Sequence, residues 1–253
     1  MKLFLPENIY SKIFLALLNN VDGLEIVFNQ SSLLCKDLEY NTSAIALIPS
    51  VELINHRNLF VSSDYALSYD GEASNSYLYF GKSEREINKI YFRGDVAINE
   101  ILLTKILFSE RYSSEPEITL DPSSTAVEGR DYIVCGDENF LSGNYRSGIS
   151  IADAISDVLD FPYVNFVFAS PDKDSIIKFD RILKEIDFDM ETCGIDPFIN
   201  LGYNADAMDY LRENSGSIYF DMTENERESL NELIKLIFYH GMIDDMFDIK
   251  FVP

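Results

Sequence analysis

Basic residues are scarce in this chain of 253 residues: 20 lysines and arginines face 43 aspartates and glutamates, for a formal net charge of -23. Such a chain repels phosphate backbones and anionic membrane surfaces, so neither nucleic acid nor a membrane is an expected partner. There are three cysteines, Cys35, Cys135 and Cys193, far apart and without a C-x-x-C pair. This spacing excludes a disulfide framework and a zinc knuckle and leaves small apolar packing, clearest for Cys135 in the strand-like run 132–135. The two histidines, His56 and His240, lack a metal-like neighbour pattern, and no Ser-His-Asp spacing suggests a hydrolytic triad. Each histidine suits the C-terminal end of a helix, where the macrodipole favours a cation. Glycine-rich phosphate motifs are missing. Asp244, Asp245 and Asp248 lack the glycine and closing glutamate of a calcium loop. No apolar run reaches membrane-spanning length, and Pro6, Glu7, Asn8 and Lys12 interrupt the N-terminal one, against a signal peptide. The expectation is a cytoplasmic protein without metal or cofactor.

What is present is a core-forming alternation. Hydrophobic residues make up 47% of the chain, ample for a large domain or two smaller lobes. Short apolar runs at 2–5, 24–28 and 44–48 read as strands, each followed by a helical stretch. Ala44–Ile48 is unbroken, as in a central strand covered on both faces. Pro49 and Ser50 open a short helix over 51–55. Later strands are expected at 59–68, 117–120, 131–135 and 164–168. Helices are expected at 147–161, 171–188, 205–213 and 223–240, the last opened by the capping box Thr223-x-x-Glu226. Alternation of this kind predicts an α/β protein with mixed, mostly parallel sheets.

Asp70–Tyr112 organises the rest. It reads as a strand over 76–80, a short helix opened by the capping pattern Ser83-x-x-Glu86, a strand over 88–92, the turn Arg93-Gly94-Asp95, and a long helix. A strand feeding a loop and then a helix N-terminus is where α/β proteins place small ligands. Long apolar strands near 75–81 and 164–170 are spaced to cross between two lobes. Lobe 1 is then 1–80 plus 170–253, and lobe 2 is 82–163, with a ligand crevice between them.

Several runs resemble the chorismate dehydratase family of the futalosine route to menaquinone. They are Ala46-Leu-Ile-Pro-Ser-Val-Glu52, Asp70-Gly71 with Ser76 ahead of Leu78-Tyr-Phe-Gly-Lys82, Leu102-Leu-x-Lys-Ile-Leu107, Gly136-Asp137, Phe161-Pro-Tyr163 before Phe166-Val-Phe168, and Ile218-Tyr-Phe220. The resemblance spans nearly the whole chain. It implies a two-lobed, type II periplasmic-binding-protein-like fold and a carbon–oxygen lyase that removes water from chorismate, a small anionic metabolite held between the lobes. Two alternatives stay open: a non-catalytic ligand-binding protein of the same fold, and the related 1,4-dihydroxy-6-naphthoate synthase. A homodimer is an open expectation.

On this resemblance Ser76 and Tyr10 take the catalytic positions, and Ser50, Asn75, Asp95, Asn99 and Arg93 face substrate. Ser76 falls on the family's substrate-contacting serine, or it simply begins a strand. Ser50 is either a helix cap or an anion ligand. The family's Asn-x-x-Pro near the N-terminus is replaced: Tyr10 stands in the asparagine's place and Ile13 in the proline's, with Asn8 shifted by two. Tyr10 either donates a phenolic hydrogen bond or fills the pocket. The family's hydroxyl-rich turn is here Gly94–Asn99, where Asp95 caps the long helix and removes an anion site. The loop after Gly71 is a residue longer and adds Glu72. Arg93 and Arg57 compensate only if they face the crevice; otherwise they are surface charges.

Overall fold

The computed structural model describes residues 1–19, 21–81, 87–123, 125–143, 145–190, 192–194, 196–199 and 201–252. The capping pattern at 83–86 lies outside them. The chain runs β1 (Lys2–Pro6), α1 (Ile9–Leu18), β2 (Glu25–Asn29), α2 (Leu34–Tyr40), β3 (Ile45–Pro49), β4 (Phe60–Tyr69) and β5 (Ser76–Tyr79). It continues with β6 (Lys89–Gly94), α3 (Ile98–Tyr112), β7 (Glu117–Leu120), β8 (Tyr132–Cys135), α4 (Glu138–Ser142), β9 (Ile149–Ser150) and α5 (Ile151–Leu159). It ends with β10 (Tyr163–Ser170), α6 (Lys173–Leu183), α7 (Ala205–Glu213), β11 (Ile218–Asp221), α8 (Glu224–Tyr239) and β12 (Lys250–Val252). No described helix is long and apolar enough to cross a membrane.

Two mixed sheets result. The first has seven strands, ordered β11-β4-β10-β3-β1-β2, with β12 also on β4; the second has five, ordered β7-β6-β8-β5-β9. Parallel ladders join β1 to β2 and β3, β12 to β4, and β6 to β7 and β8. The ladders of β10, β11 and β5 with β3, β4, β8 and β9 are antiparallel. All residues of β3 and β10 are buried, which explains their unbroken apolar runs. Edge strand β2 is half exposed and carries Glu25 outward.

The strands expected to cross between lobes stay inside single sheets. Among the described residues, Ser76–Tyr79 pairs only with β8 and β9, and Tyr163–Ser170 only with β3 and β4. The chain passes from the first sheet to the second through 70–75 and returns through 160–162.

Local chemistry shifts several boundaries. The first helix begins at Ile9, because Asn8 caps it: its Oδ1 accepts from the Ser11 N–H at 2.9 Å. Ser50–Ile54 is a 3-10 turn rather than an α-helix. Strand β12 is short and follows an acidic run, and no pattern announces it. Aromatic rings fill the first lobe's core, with Phe14 stacked on Phe188 at 5.5 Å and Phe168 tilted against Phe179 at 4.9 Å.

Candidate functional site

A seam of buried polar side chains lies where the two sheets meet. It starts at Asn8, whose amide donates to Asn75 Oδ1 at 3.4 Å. The Asn75 amide in turn donates to Glu100 Oε1 at 3.4 Å, and Glu100 Oε2 accepts from the Ala97 N–H at 3.0 Å. Glu100 thus caps its own helix from the third position. Full burial pushes its carboxyl up to about 7, against the lowering effect of its hydrogen bonds. Next on α3, Asn99 accepts from the Val51 N–H at 2.9 Å and donates to Asn165 O at 2.7 Å, Tyr163 Oη at 3.0 Å and Ser50 Oγ at 3.4 Å. One side chain therefore ties α3 of the second lobe to the 50–54 turn and β10 of the first.

Two carboxylates of the second lobe reach helix starts of the first. Asp95 accepts from Ser31 N at 3.0 and 3.2 Å and from Ser31 Oγ at 2.5 Å. Asp137 accepts from the Ile9 N–H at 2.6 Å, from Lys12 Nζ at 3.2 Å and from the Tyr203 hydroxyl. Both act where helix-terminal N–H groups offer donors to an anion. The expectation that Asp95 caps α3 is not met: Ala97 is the N-cap residue, its N–H donates to Glu100, and Asp95 instead reaches Ser31 of the other lobe. Burial raises the Asp95 carboxyl, Ser31 lowers it, and the nearby charges of Asp137 and Glu7 raise it further. Gly94 makes this placement feasible: its φ is +84°, and a Cβ there would lie 2.0 Å from Cys135 O. The Asp95→Ala variant strips Ser31 of its partner. It is expected to lose about 1–2 kcal/mol, a Tm drop of roughly 2–8 °C, with a larger radius of gyration in solution scattering. An unchanged melting curve and radius would show that this contact does not hold the lobes.

Beside these latches lies a cavity of about 490 Å³. It opens where β1 and β2 of one sheet and β6 and β7 of the other end, at the C-terminal ends of parallel strands. Crevices of this kind are the usual ligand sites of α/β sheets. Glu7, Asp95, Asp121 and Glu138 bring four carboxylates to its lining, and Arg93 brings a guanidinium. Arg93 is buried and ion-paired through Nε to Glu138. A larger hollow of about 660 Å³ lies along 188–190 and 215–226, away from these strand ends.

The residues singled out from sequence separate into two groups. Arg93 and Asp95 line the cavity. Ser50, Asn75 and Asn99 belong to the buried seam and are at most 1% exposed. Tyr10 is fully buried; its hydroxyl donates to Ser74 O at 2.8 Å, and its ring meets Tyr69 and Phe140 edge-on. Ser76 is 3% exposed, paired in register with Cys135, and lines none of the cavities described. Arg57 lies over the Phe247 ring, 4.8 Å from its centre, apart from the cavity. Sequence reading passed over Glu7, Glu100, Asp121 and Glu138. Asp137 stands in sequence only as part of Gly136-Asp137, one of the runs that carry the resemblance, which says nothing of a contact 128 residues away.

The two-lobed arrangement, its mixed sheets and the groove at their strand ends define a type II periplasmic-binding-protein-like fold. Among solved structures, the chain is similar to protein AF1704 from Archaeoglobus fulgidus (TM-score 0.62, 14% identity, covering 96% of this chain and 98% of that one). It is also similar to the Candida albicans CA3427 gene product, described as defining a family with the generic periplasmic binding protein fold (TM-score 0.58, 12% identity, 98% and 92% covered). A third likeness is to the periplasmic aliphatic sulphonate binding protein SsuA from Escherichia coli (TM-score 0.50, 8% identity, 99% and 90% covered). No family model and no curated protein sequence matches the chain.

Proposed function

We propose that this chain is a small-molecule-binding protein whose ligand is cationic, carrying an amine or guanidinium, and sits in the cavity at the strand ends. The lining charge supports this reading: Glu138 is ion-paired to Arg93 and Asp121 lies 3.7 Å from Arg130, which leaves Glu7 and Asp95 as lining carboxylates with no basic partner among the described residues. Two unit charges 4 Å apart interact by about 4 kcal/mol near a protein surface, so each uncompensated carboxylate rewards a cation and penalises an anion on that scale. The helix-start donors that an anion needs are engaged by Asp95 and Asp137.

A thermal-shift panel tests the reading. Spermidine and agmatine are expected to raise Tm, and chorismate is not. Glu7→Gln is expected to weaken the gain severalfold, because it removes a lining charge that caps no helix. Stabilisation by chorismate alone would overturn the proposal.

A second reading is a chorismate-dehydratase-like lyase of menaquinone biosynthesis, supported by the matching runs along the chain. Glu100, whose carboxyl burial raises to about 7, is the seam's candidate proton donor in that reading. Following the benzoate product by absorbance during incubation with chorismate separates the two; turnover selects the lyase. The cyclised futalosine product, offered in parallel, tests for the naphthoate synthase.

A further inference from the structure

Cys35, Glu52 and His56 come together on the first lobe, away from the cavity, with their ligand atoms all within 4.8 Å of one another. Glu52 and His56 stand four residues apart, but Cys35 lies on a different element and only the fold brings it beside them. We propose that these three side chains form a zinc(II) site, with the fourth position open to water. Thiolate, imidazole and carboxylate are the donor types zinc accepts, and three protein ligands with one open position is a tetrahedral arrangement it adopts.

The geometry is close to what the ion demands. Zinc–ligand bonds of about 2.0–2.3 Å put tetrahedral donors roughly 3.4–3.8 Å apart. His56 Nε2 and Glu52 Oε2 are already separated by 3.8 Å. Closing the remaining distances needs side-chain adjustment of about an ångström, with no movement of the elements. Both supports are firm. Cys35 is on α2, which packs on β3. Glu52 and His56 share the 50–54 turn and its exit, where the Asn55 and His56 N–H groups both donate to Glu52 O at 3.0 Å. Cys35 is buried and closes the cluster from inside, while the Glu52 and His56 side chains keep 14% and 27% exposure and leave an entry path. On coordination the thiol proton passes to solvent, so binding releases acid.

The experiment titrates zinc into metal-stripped full-length protein against a chromophoric chelator. One equivalent is expected to bind, and Cys35→Ser, Glu52→Gln and His56→Ala are each expected to weaken it by more than about 100-fold. Cobalt(II) in place of zinc is expected to give a thiolate charge-transfer band that Cys35→Ser abolishes and Cys193→Ser leaves intact. Far-ultraviolet circular dichroism checks folding; should Cys35→Ser fail to fold, the partly exposed His56 gives the deciding variant. Absence of stoichiometric uptake, or uptake unchanged in His56→Ala and Glu52→Gln, would overturn the proposal.

Discussion

Replacing Asn99 by alanine is expected to cost about 3–5 kcal/mol and to lower Tm by roughly 6–20 °C. The side chain is 1% exposed and meets four partners, two of them backbone groups, the Val51 N–H and the Asn165 carbonyl. Alanine removes the amide and leaves both backbone groups buried without it. Each such loss carries a desolvation penalty of about 1–3 kcal/mol, and a shared network exceeds the sum of its pairs. Since folded domains are stable by only about 5–15 kcal/mol, the variant is expected to be marginal at 37 °C. Asn99 also joins the lobes, so the loss is expected to appear as one cooperative transition shifted down. A Tm within 2–3 °C of the parent would mean that the network can be rebuilt without Asn99, for instance by water.

The second large effect concerns pH. The Glu100 carboxyl is raised from 4.5 to about 7 on folding, chiefly by burial. The folded state therefore holds its proton more tightly than the unfolded state. Stability from this group is fully present below pH 4.5 and is lost as pH rises through about 7. The difference amounts to about 3 kcal/mol. Asp180, buried beside Ser62, is likewise raised to about 7 and acts in the same direction. Denaturant melts at pH 5.5 and 8.5 are expected to show lower stability at the higher pH. Glu100→Gln keeps a polar amide in the place of the acid and cannot ionise. It is expected to remove about 3 kcal/mol of the stability difference between the two pH values, while the single acceptor of its amide, set against the two donors that Glu100 serves, lowers the absolute Tm. An unaltered pH slope in that variant would assign the effect to other groups, Asp180 first.

Much of the fold could be read from pattern, and the physics says where that reading stops. Fully buried strands such as Ile45–Pro49 and Tyr163–Ser170 declare themselves by unbroken apolar runs, and α8 by its capping box at Thr223 and Glu226. These signals are local. The site depends on partners far apart in sequence: Asp95 with Ser31, Asp137 with Ile9, Cys35 with His56. An aspartate before a helix looks the same whether it caps that helix or a helix in the other lobe. Here the Ala97 N–H donates to Glu100, and Asp95 reaches Ser31 instead. Ser76 shows the same limit: a strand-initiating serine was visible, but not that it would be left 3% exposed with its N–H donating to Ser74 Oγ.

The seat of β10, between β3 and β4, also dictates an order of events during synthesis. Every strand of the five-stranded sheet has been synthesised by residue 150, whereas the larger sheet still lacks its middle strand. Until Tyr163–Ser170 emerges, β3 and β4 each present an open edge with no neighbour to bridge them. The inserted lobe is thus able to condense first, and the lobe that carries the N-terminus finishes last. A ribosome stalled so that residue 150 has cleared its exit tunnel and residue 163 has not would display a compact inner unit beside an unfinished, sticky half-sheet, and it is there that a chaperone has something to hold.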